Sequence, residues 1–266
     1  MGTDQVFRPE LHFALRPHVG QAKSAANMFA ALAGSEIVAS HREGDSRVQD
    51  AYSLRCAPQV AGAVRDSVTY AKSVAENELA SAIDNPVVLE SGEVTSNGNF
   101  HGAPVGYVLD FLAITATDLG SMSERRTDRM LDKARSFGLN PFLADDPGVD
   151  SGLMIGQYTA AGLVSDSKRL AVPASVDSIP TSAMQEDHVS MGWHAARKLR
   201  RVVDNLRMIL AIEWVAASLA IEARTPHKPA AITGTWLAKL RAKVPGVGPD
   251  RFLAPQLEAA AELLRG

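Results

Sequence analysis

Gln49-x-x-Tyr52-x-x-Arg55 sets an amide, a phenol and a guanidinium three residues apart. On a helical or 3-10 turn that spacing lines them along one edge, whereas a strand would alternate them. Such an edge can hold an α-amino acid. Arginine grips a carboxylate with two parallel hydrogen bonds, and its charge favours a neighbouring tyrosinate. The structural alternative packs Tyr52 into a core and pairs Arg55 with a surface acid. A second segment, Ser96-Asn97-Gly98-Asn99-Phe100-His101-Gly102, is rich in turn formers, which frees backbone amides and Asn side chains to face a ligand. Phe100 is its large apolar residue, either a wall of a site or a plug anchoring the loop. A third, residues 178–188, ends in Gln185-Glu186-Asp187-His188. An acid, an amide and an imidazole so close suit general acid/base work or recognition of a ring nitrogen. The competing reading makes Asp187 the N-cap of the next helix, with Glu186 stabilised by its dipole.

Other chemistries find little footing. The seven His residues are scattered, with no i, i+4 pair beside a carboxylate, so no metal site is expected. A Gly-x-Ser-x-Gly elbow, a phosphate loop and a dinucleotide fingerprint are all missing. Lys+Arg of 27 against Asp+Glu of 30 leaves a formal charge of -3, which creates no field for polyanions. The basic clusters at residues 124–129 and 197–201 read as solvated or subunit-facing helix sides, so nucleic acid is not an expected partner. The apolar run 208–223 is broken by Glu213 and Glu222 and is too short to cross a bilayer of about 30 Å, so no membrane partner is expected. The single Cys56 cannot form an internal disulfide, and Met1-Gly2-Thr3-Asp4 lacks the basic and apolar regions of a signal peptide. A cytoplasmic location is the expectation.

Helices must position these residues. With 46% hydrophobic and only 6% aromatic residues, the chain can bury a core of closely packed helices. Periodicity and breakers predict helices over 21–40, 58–83, 104–134, 152–171 and 189–223, with Pro58 opening the second and Pro173 and Pro226 following the last two. Two short helices, 236–243 and 255–264, complete the tail. Residues 87–89 and 93–95 alternate about Ser91-Gly92 like a hairpin. Helices of about 20 to 35 residues exceed the usual mean of about 11 to 12, which implies an extended bundle completed by other chains. Residues 1–224 are expected to form the central bundle portion with the active-site loops, and 225–266 a short-helix tail.

Four phrases carry a resemblance: Arg47-Val48-Gln49-Asp50-Ala51-Tyr52-Ser53-Leu54-Arg55-Cys56, Ala80-Ser81-Ala82-Ile83-Asp84-Asn85-Pro86, Gly98-Asn99-Phe100-His101-Gly102 and Met184-Gln185-Glu186-Asp187-His188-Val189-Ser190-Met191-Gly192. In order and separation they resemble the ammonia-lyases that use a methylidene-imidazolone prosthetic group, specifically the C-terminal half of histidine ammonia-lyases. The resemblance spans nearly the whole chain and implies a mainly α fold, a long-helix bundle of the ammonia-lyase/fumarase type with one short β-hairpin. It makes Arg55 the clamp on the substrate carboxylate, Tyr52 a hydroxyl beside the prosthetic group, Gln49 its polar support and Phe100 its shield. Glu186 would face the substrate ring. Relatives acting on phenylalanine or tyrosine typically carry Gln there, and a carboxylate suits an imidazole N–H, so L-histidine is the expected substrate and urocanate the product.

The family makes its electrophile from an internal Ala-Ser-Gly, which occurs nowhere in this sequence. In the family that tripeptide lies upstream, on a half that would precede Met1 and that also supplies another tyrosine, a histidine and an asparagine. The chain alone is therefore expected not to deaminate histidine. Homotetramers in which each site draws on several subunits are the family's pattern, so a homo-oligomer is expected, with an N-terminal half chain as a further conceivable partner. The alternatives are a portion of a phenylalanine or tyrosine ammonia-lyase or aminomutase, and a non-catalytic helical assembly. The Gly-Ser-Ser-x-Met-Pro-x-Lys signature of the fumarase and aspartase group is absent.

Overall fold

The computed structural model describes residues 2–45 and 47–265, and among these long helices dominate. Helix α1 (Val19–Leu32) ends as Ala33 leaves the helical region at ψ 125°, Gly34 follows with a φ of 74° that suits glycine, and the single turn α2 (Glu36–Ala39) begins with Ser35 Oγ accepting from the Val38 amide at 3.2 Å. The one helix expected over 21–40 is therefore two, because the extended Ala33 and the left-handed Gly34 together break the backbone ladder. Another single turn, α3 (Tyr52–Arg55), leads into α4 (Ala57–Leu79), with Pro58 in its first turn where a missing N–H costs nothing. Strands β1 (Val87–Val88) and β2 (Val94–Thr95) pair antiparallel with Val87 opposite Thr95, forming the expected hairpin. Then come α5 (Ala103–Leu131), α6 (Met154–Leu170), α7 (Gly192–Glu222), α8 (Ala231–Arg241) and α9 (Ala254–Leu263).

Helix α5 is the axis of the bundle. Its early residue Asp110 accepts from Lys198 Nζ at 2.7 Å, while Ser123, thirteen residues on, donates to Glu213 at 2.5 Å, so α5 and α7 run parallel. Against α6 the order reverses: Thr117 Oγ1 donates to the Ser167 carbonyl at 3.3 Å, and Gln157 donates to Glu124 at 2.8 Å. Alanines and valine at Ala113, Ala116 and Val202 let α5 and α7 approach closely. Farther along, Ile212, Val215 and Ala216 of α7 pack with Leu240, Val244, Leu257 and Ala260, so the tail helices share the main core. Each such Leu or Val contributes about 2 kcal/mol relative to exposure. Helices α1 and α4 touch backbone to backbone, because a Cβ on Gly20 would stand 2.2 Å from the Gly62 carbonyl.

Within the basic cluster at 124–129, Arg125 is exposed as expected of a solvated helix side, but Glu124 and Arg126 depart from that role. Glu124 is buried, held by Arg125 Nε at 2.6 Å and by Gln157, and Arg126 turns inward onto Glu213. Burying these charges is tolerable only because each finds a partner. Among the described residues, no helix is long and apolar enough to cross a membrane.

Candidate active site

Tyr52 and Arg55 form one helical turn, as their spacing predicts. Gln49 lies outside it, exposed, two residues before the N-cap Ala51, so the edge holds the phenol and guanidinium but not the amide. The chain enters extended at Ala51, and Cys56 separates this turn from α4. Arg55 Nε donates to the Asp50 carbonyl at 2.9 Å, and its guanidinium carbon lies 4.6 Å from the centre of the Tyr52 ring. The two Nη nitrogens have no partner among the described residues, which leaves the forked edge available to a carboxylate. Tyr52 is 68% exposed, so the reading that packs it into this chain's own core is not what the structure has. From below, Arg126 holds the turn: its Nη1 donates to the Ser53 carbonyl at 3.2 Å while its Nη2 donates to Glu213 at 2.7 Å.

Phe100 sits on a polar turn just ahead of α5 and is 54% exposed; it is not a plug. Asn85 organises the approach, its Oδ1 accepting from Ser96 Oγ at 3.1 Å and from the Asn97 amide at 2.9 Å. Glu186 closes a second turn. Thr181 and Glu186 exchange backbone hydrogen bonds of 2.9 and 3.2 Å, and Thr181 Oγ1 donates to the Glu186 carboxylate. Between them Ser182, Ala183 and Met184 all have positive φ, of 50°, 53° and 72°. Left-handed non-glycine residues cost about 1 kcal/mol each and concentrate where a loop must present a group in one orientation.

Asp187 is not a helix cap. Helix α7 starts only at Gly192, behind a left-handed Met191 without a side-chain cap, so the capping alternative falls and Glu186 and Asp187 lie ahead of the helix. The two turns meet through His101 and His188, whose rings stack at 5.3 Å, and through Ser190, whose carbonyl lies 3.1 Å from where a Cβ on Gly106 would be. Both histidines stood in the sequence motifs, but nothing in their spacing indicated mutual contact.

These residues do not form one cluster within the chain. The Phe100 and Glu186 turns gather at the start of α5, while the Tyr52–Arg55 turn rests on Arg126 near its end. At about 1.5 Å per residue, the intervening helix separates the two groups by roughly 35 Å. A small amino acid cannot touch both groups on one copy.

Comparison with known proteins extends this picture. The family model for aromatic amino acid lyases matches residues 1–242. Histidine ammonia-lyases of Streptomyces avermitilis and Streptomyces coelicolor are 67% and 64% identical over the whole chain, which covers 52% of each of them. The crystal structure of histidine ammonia-lyase from Trypanosoma cruzi superposes with a TM-score of 0.88 at 38% identity, covering 99% of this chain and 49% of that one. A tyrosine aminomutase from Streptomyces globisporus gives 0.90 at 38% identity, covering 99% and 55%. The chain thus spans about half the length of the curated relatives it matches. With its long-helix bundle, its single hairpin and a match over residues 1–242, the chain belongs to the aromatic amino acid lyase family.

Proposed function

We propose that this chain is the C-terminal portion of a histidine ammonia-lyase, supplying two separate sets of residues to a site completed by other copies and by an electrophile-bearing segment. The observation that carries the reading is 67% identity, over all 266 residues, to a histidine ammonia-lyase. The reaction is a non-oxidative elimination: the substrate loses a β-proton and its α C–N bond, giving urocanate and ammonia. The β-hydrogen is barely acidic and the amine is a poor leaving group. A methylidene-imidazolone, when bound, supplies the electrophile that activates the substrate for this loss. The chain contains no Ala-Ser-Gly, so the group would come from another segment. The exposed faces of Tyr52 and Phe100 fit its approach, as two large aromatic side chains facing away from this chain's own core.

Arg55 binds the substrate carboxylate through its free Nη edge, and Tyr52, beside that positive charge, holds its hydroxyl toward the reacting centre. Gln49 gives polar support. Glu186, its carboxylate oriented by Thr181, accepts the imidazole N–H of the substrate, and Phe100 excludes water. Because roughly 35 Å divides these residues on one copy, each site takes Tyr52 and Arg55 from one chain and Phe100 and Glu186 from another. Tyr107, Phe111, Ile155 and Tyr158 are exposed along α5 and α6, which supports burial against further chains in a homo-oligomer, a tetramer by the family's pattern.

The test is urocanate absorbance. The chain alone is expected to give none, and the chain assembled with an Ala-Ser-Gly-bearing N-terminal segment is expected to give turnover with L-histidine in preference to phenylalanine or tyrosine. In that assembly Tyr52→Phe and Glu186→Gln chains are each expected to be nearly inactive. Mixed in equal amounts before assembly, they should recover about a quarter of wild-type activity, because one site in four then draws both intact residues. No recovery on mixing would overturn the shared site, and turnover by the chain alone would overturn its dependence on another segment.

A further inference from the structure

Phe100 and Glu186 stand on different turns, and among the described residues the only hydrogen bonds between residues 97–102 and 178–191 join the His101 imidazole to the ring and the backbone carbonyl of His188. Their neighbours decide how those rings are protonated. The Ala103 backbone amide donates to His101 Nδ1 at 3.3 Å. An amide N–H can only donate, so Nδ1 carries a lone pair and the ring proton sits on Nε2. That Nε2 lies 3.2 Å from His188 Nδ1 and 3.3 Å from the His188 carbonyl oxygen, and both must accept from it. His188, with a lone pair on Nδ1, then carries its own proton on Nε2. The hydrogen bonds run in one direction, from the first amide of α5 through His101 to His188, with the two ring planes within 17° of parallel.

Space-filling does not require this arrangement. Ser190 already packs against the α5 start, its Oγ lying 3.3 Å from where a Cβ on Gly102 would stand. The imidazoles add direction and distance. We propose that His101 and His188 are positioning residues, a tautomer-locked pair that sets the Phe100 ring at a fixed distance from the Glu186 carboxylate. The proposal rests on the reading above only in that Phe100 and Glu186 serve the same substrate. Neither histidine need touch the substrate.

The test uses side-chain geometry as well as loss. Asn in place of His188 presents an oxygen near the Nδ1 position, and Gln in place of His101 presents an N–H near Nε2, whereas Leu supplies neither. Nitrogen-15 spectra of the histidine-labelled chain are expected to show both rings as Nε2–H tautomers. Hydrogen exchange in His188→Leu is expected to quicken in residues 97–102 as well as in 181–190, and His188→Asn is expected to restore most of the protection. In the assembled enzyme, His188→Leu and His101→Leu should lower kcat about tenfold, the scale of a small misplacement at a site, with His188→Asn and His101→Gln within about threefold of wild type. An Nδ1–H tautomer on either ring would overturn the proposal. So would faster exchange confined to the mutated turn, or equal losses in the Leu and the Asn or Gln variants. If the assembled wild type makes no urocanate, the function reading fails while spectra and exchange still decide the pair.

Discussion

Replacing Arg126 by Met should destabilise the bundle sharply, and replacing its partner as well should restore much of the loss. Arg126 and Glu213 are only 19% and 18% exposed, and Arg126 reaches Glu213 with two nitrogens. Removing the guanidinium leaves a carboxylate held only by Ser123 Oγ between α5 and α7. Breaking a buried pair from one side costs about 3 to 5 kcal/mol, and the residual exposure puts Arg126→Met near the lower end. In Arg126→Met/Glu213→Leu no charge is stranded. The remaining cost, from the lost partners of Ser123 and the Ser53 carbonyl, is about 1 to 2 kcal/mol. The coupling between the two sites should therefore reach about 1 kcal/mol or more. Urea unfolding followed by far-ultraviolet circular dichroism, at one protein concentration, measures all three variants. A single-mutant loss under about 1 kcal/mol, or a double mutant equal to the sum of the two singles, would show that this pair does not carry the α5–α7 contact as described. Since Arg126 also anchors the Tyr52–Arg55 turn through Ser53, the Met variant should raise KM for the amino acid in an assembled enzyme.

Three further outcomes are expected. Gly62→Ala puts a Cβ 2.3 Å from the Gln21 backbone, so α1 must shift; thermal unfolding should report a loss of about 3 kcal/mol, and an unchanged midpoint would remove the close-contact argument. Burial pushes the Asp110 carboxyl up, but bonds from Lys198 and the Ser175 amide more than offset this and hold it below its ordinary value of 3.8. Its contribution to stability is therefore complete above that value and is lost as pH falls through the lower folded value, so Asp110→Asn should flatten the acid limb of a stability–pH profile. Arg55→Lys keeps the charge but loses the forked edge, and should raise KM for L-histidine about tenfold in the assembled enzyme with a smaller change in kcat.

Much of the architecture was legible because its causes are local. Pro58 and Pro104 open α4 and α5, and Gly92 at φ 84° turns the hairpin. A spacing of three puts Tyr52 and Arg55 on one turn. The motifs also identified the loops that meet at the start of α5. Other features depend on partners distant in sequence. The left-handed residues Ser182, Ala183, Met184 and Met191 have no glycine to announce them, so the turn that presents Glu186, the late start of α7 behind Met191 and the failure of Asp187 to cap it could not be read from residue types. Glu124 and Arg126 look like surface charges until α6 and α7 supply Gln157 and Glu213.

What the sequence determined by itself was the set of reactive side chains and the helices that carry them, since periodicity and breakers act over a few residues. Only the tertiary structure decided where those side chains stand. Helix α5 runs for 29 residues, so groups held near its two ends stand roughly 35 Å apart however suitable their chemistry. Short-range patterns give that length but hold no record of which distant loops dock at each end.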